Sequence, residues 1–304
     1  MDNKTKEQGQ MLDCHADASN DEKVHHILSL SGGSQSDLTH SKTHHILSLS
    51  GGKDSTALAF FMKENNPEIF EQMELVFCDT ECELPEIYEY LNKIEVFLNK
   101  KITRLKPERS FDHLMAIYKY FPSPIKRWCT VELKAKPFEK YISNFLKQNS
   151  GNIIKLYIGI RADELRRAKY NKYNNIRIQE IYPFVDNFLN HNDIMEVLNK
   201  SGIGLPDYYK WATRSGCYFC PYQSKLTWLN LQKHHPDLFY KAKKYEDIKN
   251  LANKQNFKKV GFNLDMTLEE MILPENKKQI IEDFERKSYL KPKQKISNRL
   301  TDLF

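Results

Sequence analysis

Between Ser48 and Ala57 the chain reads SLSGGKDSTA, a run whose residue types suit a phosphate-bearing ligand. Paired glycines allow backbone conformations closed to other residues and let a bulky anion approach closely. Free N–H groups at the start of the helix that follows, with the positive end of its dipole, hold phosphate oxygens. Lys53 adds a full positive charge, and the hydroxyls of Ser50 and Ser55 add donors. Asp54 suits a Mg²⁺ ion travelling with the phosphates, or a helix cap. The candidate set is therefore Ser50, Gly51, Gly52, Lys53, Asp54 and Ser55. The short step from glycines to lysine excludes the GxxxxGK[ST] pattern.

A second constellation is made of cysteines. Cys217 and Cys220 form a CxxC pair in a turn bounded by Gly216 and Pro221, and Cys129 follows Trp128 in the segment RWCT. Two thiolates at that spacing make half of a chelate for Zn²⁺ or for one corner of an iron–sulfur cluster, with Cys129 as a third candidate ligand. Three reduced thiols in a packed subdomain remain the alternative. Cys78, last before Asp79 in MELVFCD, reads as core.

These groups need elements to position them. HILSLS, MELVFCD, KITRLK and NIIKLYIGI read as strands, with IRIQEIYPF as a fifth, and helical spacing runs through DSTALAFFMKENN, LPEIYEYLNKIEVFLNK and ELKAKPFEKYISNFLKQN. FPSPIKRWCT reads as a loop. Strands alternating with helices predict an α/β fold around a parallel sheet covered on both faces. Beyond Pro206 the pattern turns helical and basic. The expected organisation is a loosely attached tail over 1–43, a nucleotide-binding α/β domain over 44–205 and a basic helical region carrying the CxxC turn over 206–304.

The tail holds a copy of the loop's approach. KVHHILSLSGG at Lys23–Gly33 repeats as KTHHILSLSGG at Lys42–Gly52, but Ser34 and Gln35 stand where Lys53 and Asp54 follow the second copy. With no apolar face behind it to dock a helix, the first copy cannot build an anion site, and the second is read as the working loop.

The 304 residues are 40% hydrophobic and 28% charged, with a net charge of +6. No apolar run approaches the roughly eighteen residues of a membrane span, and the N-terminus has no signal-like apolar core, so no membrane role and a cytoplasmic location are expected. The positive charge is compatible with a nucleic acid or another anionic partner.

SGGKDST resembles the PP-loop of the N-type ATP pyrophosphatases (adenine nucleotide alpha hydrolase-like proteins), and from about His44 to Tyr222 the chain resembles the phosphoadenosine phosphosulfate (PAPS) reductase family. FCDTECELPE is similar to that family's D-T-G-x-E-x-P-E, RWCTVELKAKP to R-W-C-T-x-x-L-K-x-x-P, GIRADELRR to G-x-R-x-x-E-S-x-x-R, and RSGCYFCPY to G-C-x-x-C-P. Glu81 replaces the glycine of the first motif and Leu165 the serine of the third. The resemblance implies a doubly wound, Rossmann-like sheet with ATP across the carboxyl ends of its strands. It places Asp79 at Mg²⁺ or ribose, Arg161 at the α-phosphate, and Glu164 where it orients Arg161 or a substrate group. Within it, cysteine sets of this kind hold a [4Fe–4S] cluster in sulfur-inserting relatives; Zn²⁺ stays open.

Three activities follow as expectations. ATP is cleaved to AMP and pyrophosphate to adenylate a substrate, for sulfur transfer to a nucleic acid or small molecule with a sulfur-donor protein as partner. Alternatively, PAPS or adenylylsulfate is reduced; the absence of any cysteine after Cys220 counts against that reading. Thirdly, the chain binds nucleotide as a regulator without turnover.

Overall fold

A computed structural model describes residues 42–123, 126–168, 173, 175–252, 261–262 and 265–290. The first copy of the repeated stretch, Cys14 and nearly all of the expected tail lie outside the described residues.

The chain opens with β1 (Thr43–Leu49), α1 (Lys53–Asn65), α2 (Pro67–Gln72), β2 (Met73–Cys78), α3 (Pro85–Leu98), β3 (Ile102–Leu105) and α4 (Phe111–Tyr118). There follow α5 (Trp128–Thr130), a π-helical turn (Val131–Ala135) and α6 (Lys136–Gln148), then β4 (Ile153–Tyr157) and β5 (Ile178–Ile181). The remainder is helical: α7 (Pro183–Asp186), α8 (His191–Lys200), α9 (Lys225–His234), α10 (Pro236–Ala252), α11 (Leu268–Met271) and α12 (Pro274–Leu290). RWCT, expected in a loop, is instead the first turn of a helix that continues through the π turn. Trp128 anchors it by stacking between Phe111 and Tyr118.

All four strand pairings are parallel, in the order β3-β2-β1-β4-β5. The chain builds outward from β1 to β3, then returns to lay β4 on the other side of β1. Connections diverge between β1 and β4, and such a switch point opens a crevice at the carboxyl ends of the strands.

Alternation along the strands separates two apolar layers. Leu47, Leu49, Leu75 and Phe77 join the larger core with α1, α3, α8 and the C-terminal helices, while Ile46, Val76, Ile154, Leu156 and Ile178 meet Phe138, Ile142 and Leu146 of α6. The expected doubly covered parallel sheet is observed. No helix among the described residues is long and apolar enough to cross a membrane.

The HH dipeptide at the start of β1 divides between the two faces, His44 stacking on Phe145 of α6 and His45 turning to Tyr157 of the larger core. His44 Nε2 lies 3.1 Å from Glu74 Oε2, Thr103 donates to Glu74 Oε1, and Tyr141 of α6 donates to Oε2. His45 pairs with Tyr157 at 2.8 Å. Burial alone raises the Glu74 pKa, but the hydrogen bonds from His44, Thr103 and Tyr141 outweigh it and draw the value down from 4.5 to about 2. The folded pKa lies below the unfolded one, so this stabilisation is complete above 4.5 and is lost as pH falls toward about 2. Urea midpoints of the wild type should fall through that window. Glu74→Gln should be less stable at neutral pH with a shallower acid slope, and an unchanged slope would contradict the assignment.

Candidate functional site

The loop between β1 and α1 is held by its own side chains. Ser55 Oγ accepts from the Ser50 N–H at 3.0 Å, donates to the Gly52 carbonyl at 3.2 Å and lies 3.0 Å from Ser50 Oγ. Buried Ser55 thus braces the loop from inside. Gly51 has φ +68°, and a Cβ there would come within 2.6 Å of Ile87, so both conformation and space require glycine. Helix α1 begins at Gly52 with no side-chain cap. An uncapped helix start leaves first-turn N–H groups for an anion, and the Lys53 N–H makes only a long 3.4 Å contact with Tyr209.

The charged groups form one network. Asp54 bridges two cations: Oδ2 meets Lys53 Nζ at 3.0 Å and Oδ1 meets the Arg161 guanidinium at 2.9 Å. Arg161 also meets Asp163 at 3.0 Å and Glu164 at 3.3 Å, and Glu164 in turn holds Arg167 at 2.7 Å. Lys53 and Asp54 follow β1 and Arg161 follows β4, so the network spans the switch point. The close approach depends on Gly159, where a Cβ would lie 2.9 Å from the Asp54 carbonyl oxygen.

Lys53, Asp54, Gly159, Arg161, Glu164 and Arg167 line a cleft of about 1040 Å³ that also takes in Thr80, Arg127, Cys129, Lys134, Arg214, Cys217, Cys220 and Tyr222. Asp79 is not among the lining residues. It is 6% exposed, and its Oδ1 accepts from the Glu81 N–H and the Tyr88 hydroxyl, at 2.8 and 2.7 Å. This closes a turn in which Glu81 adopts φ +59°, the left-handed conformation expected of the glycine it replaces.

The three candidate cysteines reach the same cleft by different routes. Cys129 rides on α5. The 217–220 turn is pinned to the segment after β2 by a Glu83–Cys217 bridge and by the Tyr218 N–H donating to the Cys82 carbonyl at 3.0 Å. Cys217 Sγ is buried, 3.1 Å from Thr80 Oγ1 and 3.5 Å from Glu83 Oε1. Burial pushes the thiols of Cys129, Cys217 and Cys220 above their ordinary pKa. Among the described residues no group of three or more His, Cys, Asp and Glu side chains stands together as a metal site. The cysteines share a wall of the cleft, but with Cys217 turned to Thr80 and Glu83 they do not fit a cluster or a zinc ion as arranged. The neighbouring His234 and His235 pack on Trp211, and His235 also meets Glu86 at 2.8 Å.

Several residues of the site escape a reading by motif. Tyr208 donates to the Gly51 carbonyl at 3.1 Å, and Tyr209 accepts from the Lys53 N–H at 3.4 Å, so two tyrosines beyond the quoted motifs buttress the loop. Lys134, a weaker candidate in the sequence with a helix-surface lysine as the alternative reading, pairs at 3.2 Å with Glu83, whose side chain is 1% exposed. The π turn that carries Lys134 is of a kind frequent at functional sites. The one available signal was the position of both residues inside the quoted motifs.

Residues 44–223 match the family model described as the phosphoadenosine phosphosulfate reductase domain. The chain belongs to that family. An uncharacterized protein of Methanocaldococcus jannaschii is 22% identical over 175 residues, covering 57% of this chain and 41% of that relative, so the chain matches less than half the relative's length. Among solved structures, the phosphoadenylyl-sulfate reductase of Candida auris in a phosphate complex is 12% identical with a TM-score of 0.42, over 57% of this chain and 81% of that one. The U34-tRNA thiolase of Methanococcus maripaludis, solved with its [4Fe–4S] cluster, is 16% identical with a TM-score of 0.37, over 82% of this chain and 83% of that one.

The Glu83–Lys134 pair can be tested directly. Lys134→Met leaves a buried carboxylate unpaired and should cost roughly 2 kcal/mol, less than a fully buried pair because Lys134 reaches the cleft. Adding Glu83→Gln should recover most of the loss in urea denaturation. A double variant no more stable than Lys134→Met would contradict the pairing.

Proposed function

We propose that this chain is a PP-loop enzyme that cleaves ATP to AMP and pyrophosphate and adenylates an acceptor oxygen, acting in the cytoplasm. The observation that carries the reading is the uncapped start of α1 beside Lys53 and Arg161, at the switch point of a parallel sheet. Gly51, Gly52 and the first-turn N–H groups of α1 receive the β- and γ-phosphates, with Lys53 beside them. Arg161, released from Asp54, meets the α-phosphate, where negative charge builds as the acceptor oxygen attacks phosphorus and pyrophosphate leaves. Asp54 fits Mg²⁺ in donor type, as a carboxylate at the loop's edge whose two cations pass to the phosphates. Such an ion would screen charge between phosphate oxygens. Asp79 shapes the neighbouring turn.

The adenylated oxygen is then a leaving group, and a sulfur nucleophile delivered by a donor protein displaces AMP from the acceptor, which is a nucleic acid or a small molecule. The three cysteines on the cleft wall support a sulfur-handling role. No step is assigned to an iron–sulfur cluster.

The products decide it. ATP incubated with the chain, Mg²⁺ and extracts containing candidate acceptors should yield AMP and pyrophosphate, resolved by chromatography. Lys53→Ala should reduce that yield by roughly a hundred-fold, in line with the loss of one strong charge contact to a developing anion. ADP and orthophosphate as products, or full activity in Lys53→Ala, would overturn the proposal.

A further inference from the structure

Six cations line the cleft: Lys53, Arg127, Lys134, Arg161, Arg167 and Arg214. Four are matched by carboxylates. Lys53 and Arg161 hold Asp54, Lys134 holds Glu83, and Arg167 holds Glu164. Neither Arg127 nor Arg214 lies within ion-pair distance of a carboxylate among the described residues. Instead, both guanidiniums lie against a single aromatic ring, that of Tyr222, at 5.5 Å and 5.1 Å from its centroid.

Two like charges on one ring repel, and cation–π attraction at an exposed site offsets only about 0.5–1 kcal/mol for each. The arrangement therefore leaves an unmatched positive potential facing the cleft. Its place is specific. Arg127 precedes Cys129 by two residues, and Tyr222 follows Cys220 by two, so the pair stands at the cysteine wall, whereas the loop's cations belong to Lys53 and Arg161. Among the described residues the Arg127 guanidinium has one other polar contact, to Thr130 Oγ1 at 3.5 Å, too long to fix it. Both forks remain available for bidentate bonds, and two of them match the charge and oxygen count of a phosphate better than those of a carboxylate.

We propose that Arg127 and Arg214, backed by Tyr222, form a second anion site that holds a phosphate group of the acceptor. The inference rests on the reading of the loop as the ATP site, and it narrows the acceptor to a phosphate-bearing molecule. With ATP in the loop and the acceptor's phosphate on the arginine pair, the acceptor lies along the cleft between the loop and the cysteines. A cleft of about 1040 Å³ accommodates both, being at the upper end of the size expected for a single small-molecule pocket.

The test uses the full chain saturated with a nonhydrolysable ATP analogue, so that the loop is closed to other anions. Inorganic phosphate and a short single-stranded RNA oligonucleotide are then titrated separately. The wild type should bind them, and Arg127→Gln/Arg214→Gln should weaken that binding by about ten-fold or more, while affinity for the ATP analogue, which also reports folding, stays within about two-fold. Much tighter binding of the oligonucleotide than of phosphate assigns the site to a phosphodiester backbone; comparable affinities assign it to a small phosphomonoester. Unchanged phosphate and oligonucleotide binding in the double variant overturns the proposal. So does a preference of the wild type for adenosine 3′,5′-bisphosphate over AMP that the double variant abolishes, since the arginines would then serve the nucleotide itself. If the wild type fails to bind the ATP analogue, the loop reading falls, and the arginine site is decided by the loss or retention of phosphate binding in the double variant.

Discussion

Asp54 sits between two cations supplied by different strands, and the architecture of the cleft follows from that bridge. Lys53 is its neighbour in sequence, but Arg161 arrives more than a hundred residues later, at the end of β4. Bringing it within 2.9 Å requires β4 to lie beside β1, which the reversal of strand order provides. It also requires that no side chain separate the two connections, which Gly159 provides. The bridge has a chemical consequence. The loop's cations are already paired with a carboxylate, so a polyphosphate bound there would have to compete with Asp54 for them, and a divalent ion that takes over Asp54 would favour the exchange.

Much of the fold was legible in the residues. Strands such as HILSLS and NIIKLYIGI are short, apolar and followed by helical spacing, and a parallel sheet needs little else. The loop could be read because glycine, lysine and hydroxyl residues each have a distinct physical use at a helix start. RWCT failed as a loop because its preceding prolines suggested irregular chain, whereas burial of Trp128 between Phe111 and Tyr118 fixes a helical turn there. Such stacking joins residues distant in sequence, which no local pattern reveals. The same reason hid Tyr208 and Tyr209, whose hydroxyls reach the loop from more than 150 residues away.

Single-residue inference was weakest where a group had two competing uses. A carboxylate after a strand suits a metal or a turn, and Asp79 closes a turn because Glu81 and Tyr88 present donors to it. A cysteine in a CxxC turn suits a metal or a packed wall, and Cys217 faces Thr80 and Glu83. Apart from Tyr88, in the first turn of α3, the deciding partners come from the same DTECELPE segment, which organises one side of the cleft as the loop organises the other.

Competition between Asp54 and phosphate is the claim on which the nucleotide reading turns, and ATP affinity measured without divalent ions in wild type and Asp54→Asn tests it most directly. Freeing Lys53 and Arg161 from a carboxylate should tighten ATP binding by about three-fold or more, given the few-ångström separations and partial solvent screening at the loop. Equal or weaker binding by Asp54→Asn under those conditions would mean that these cations do not serve the phosphates.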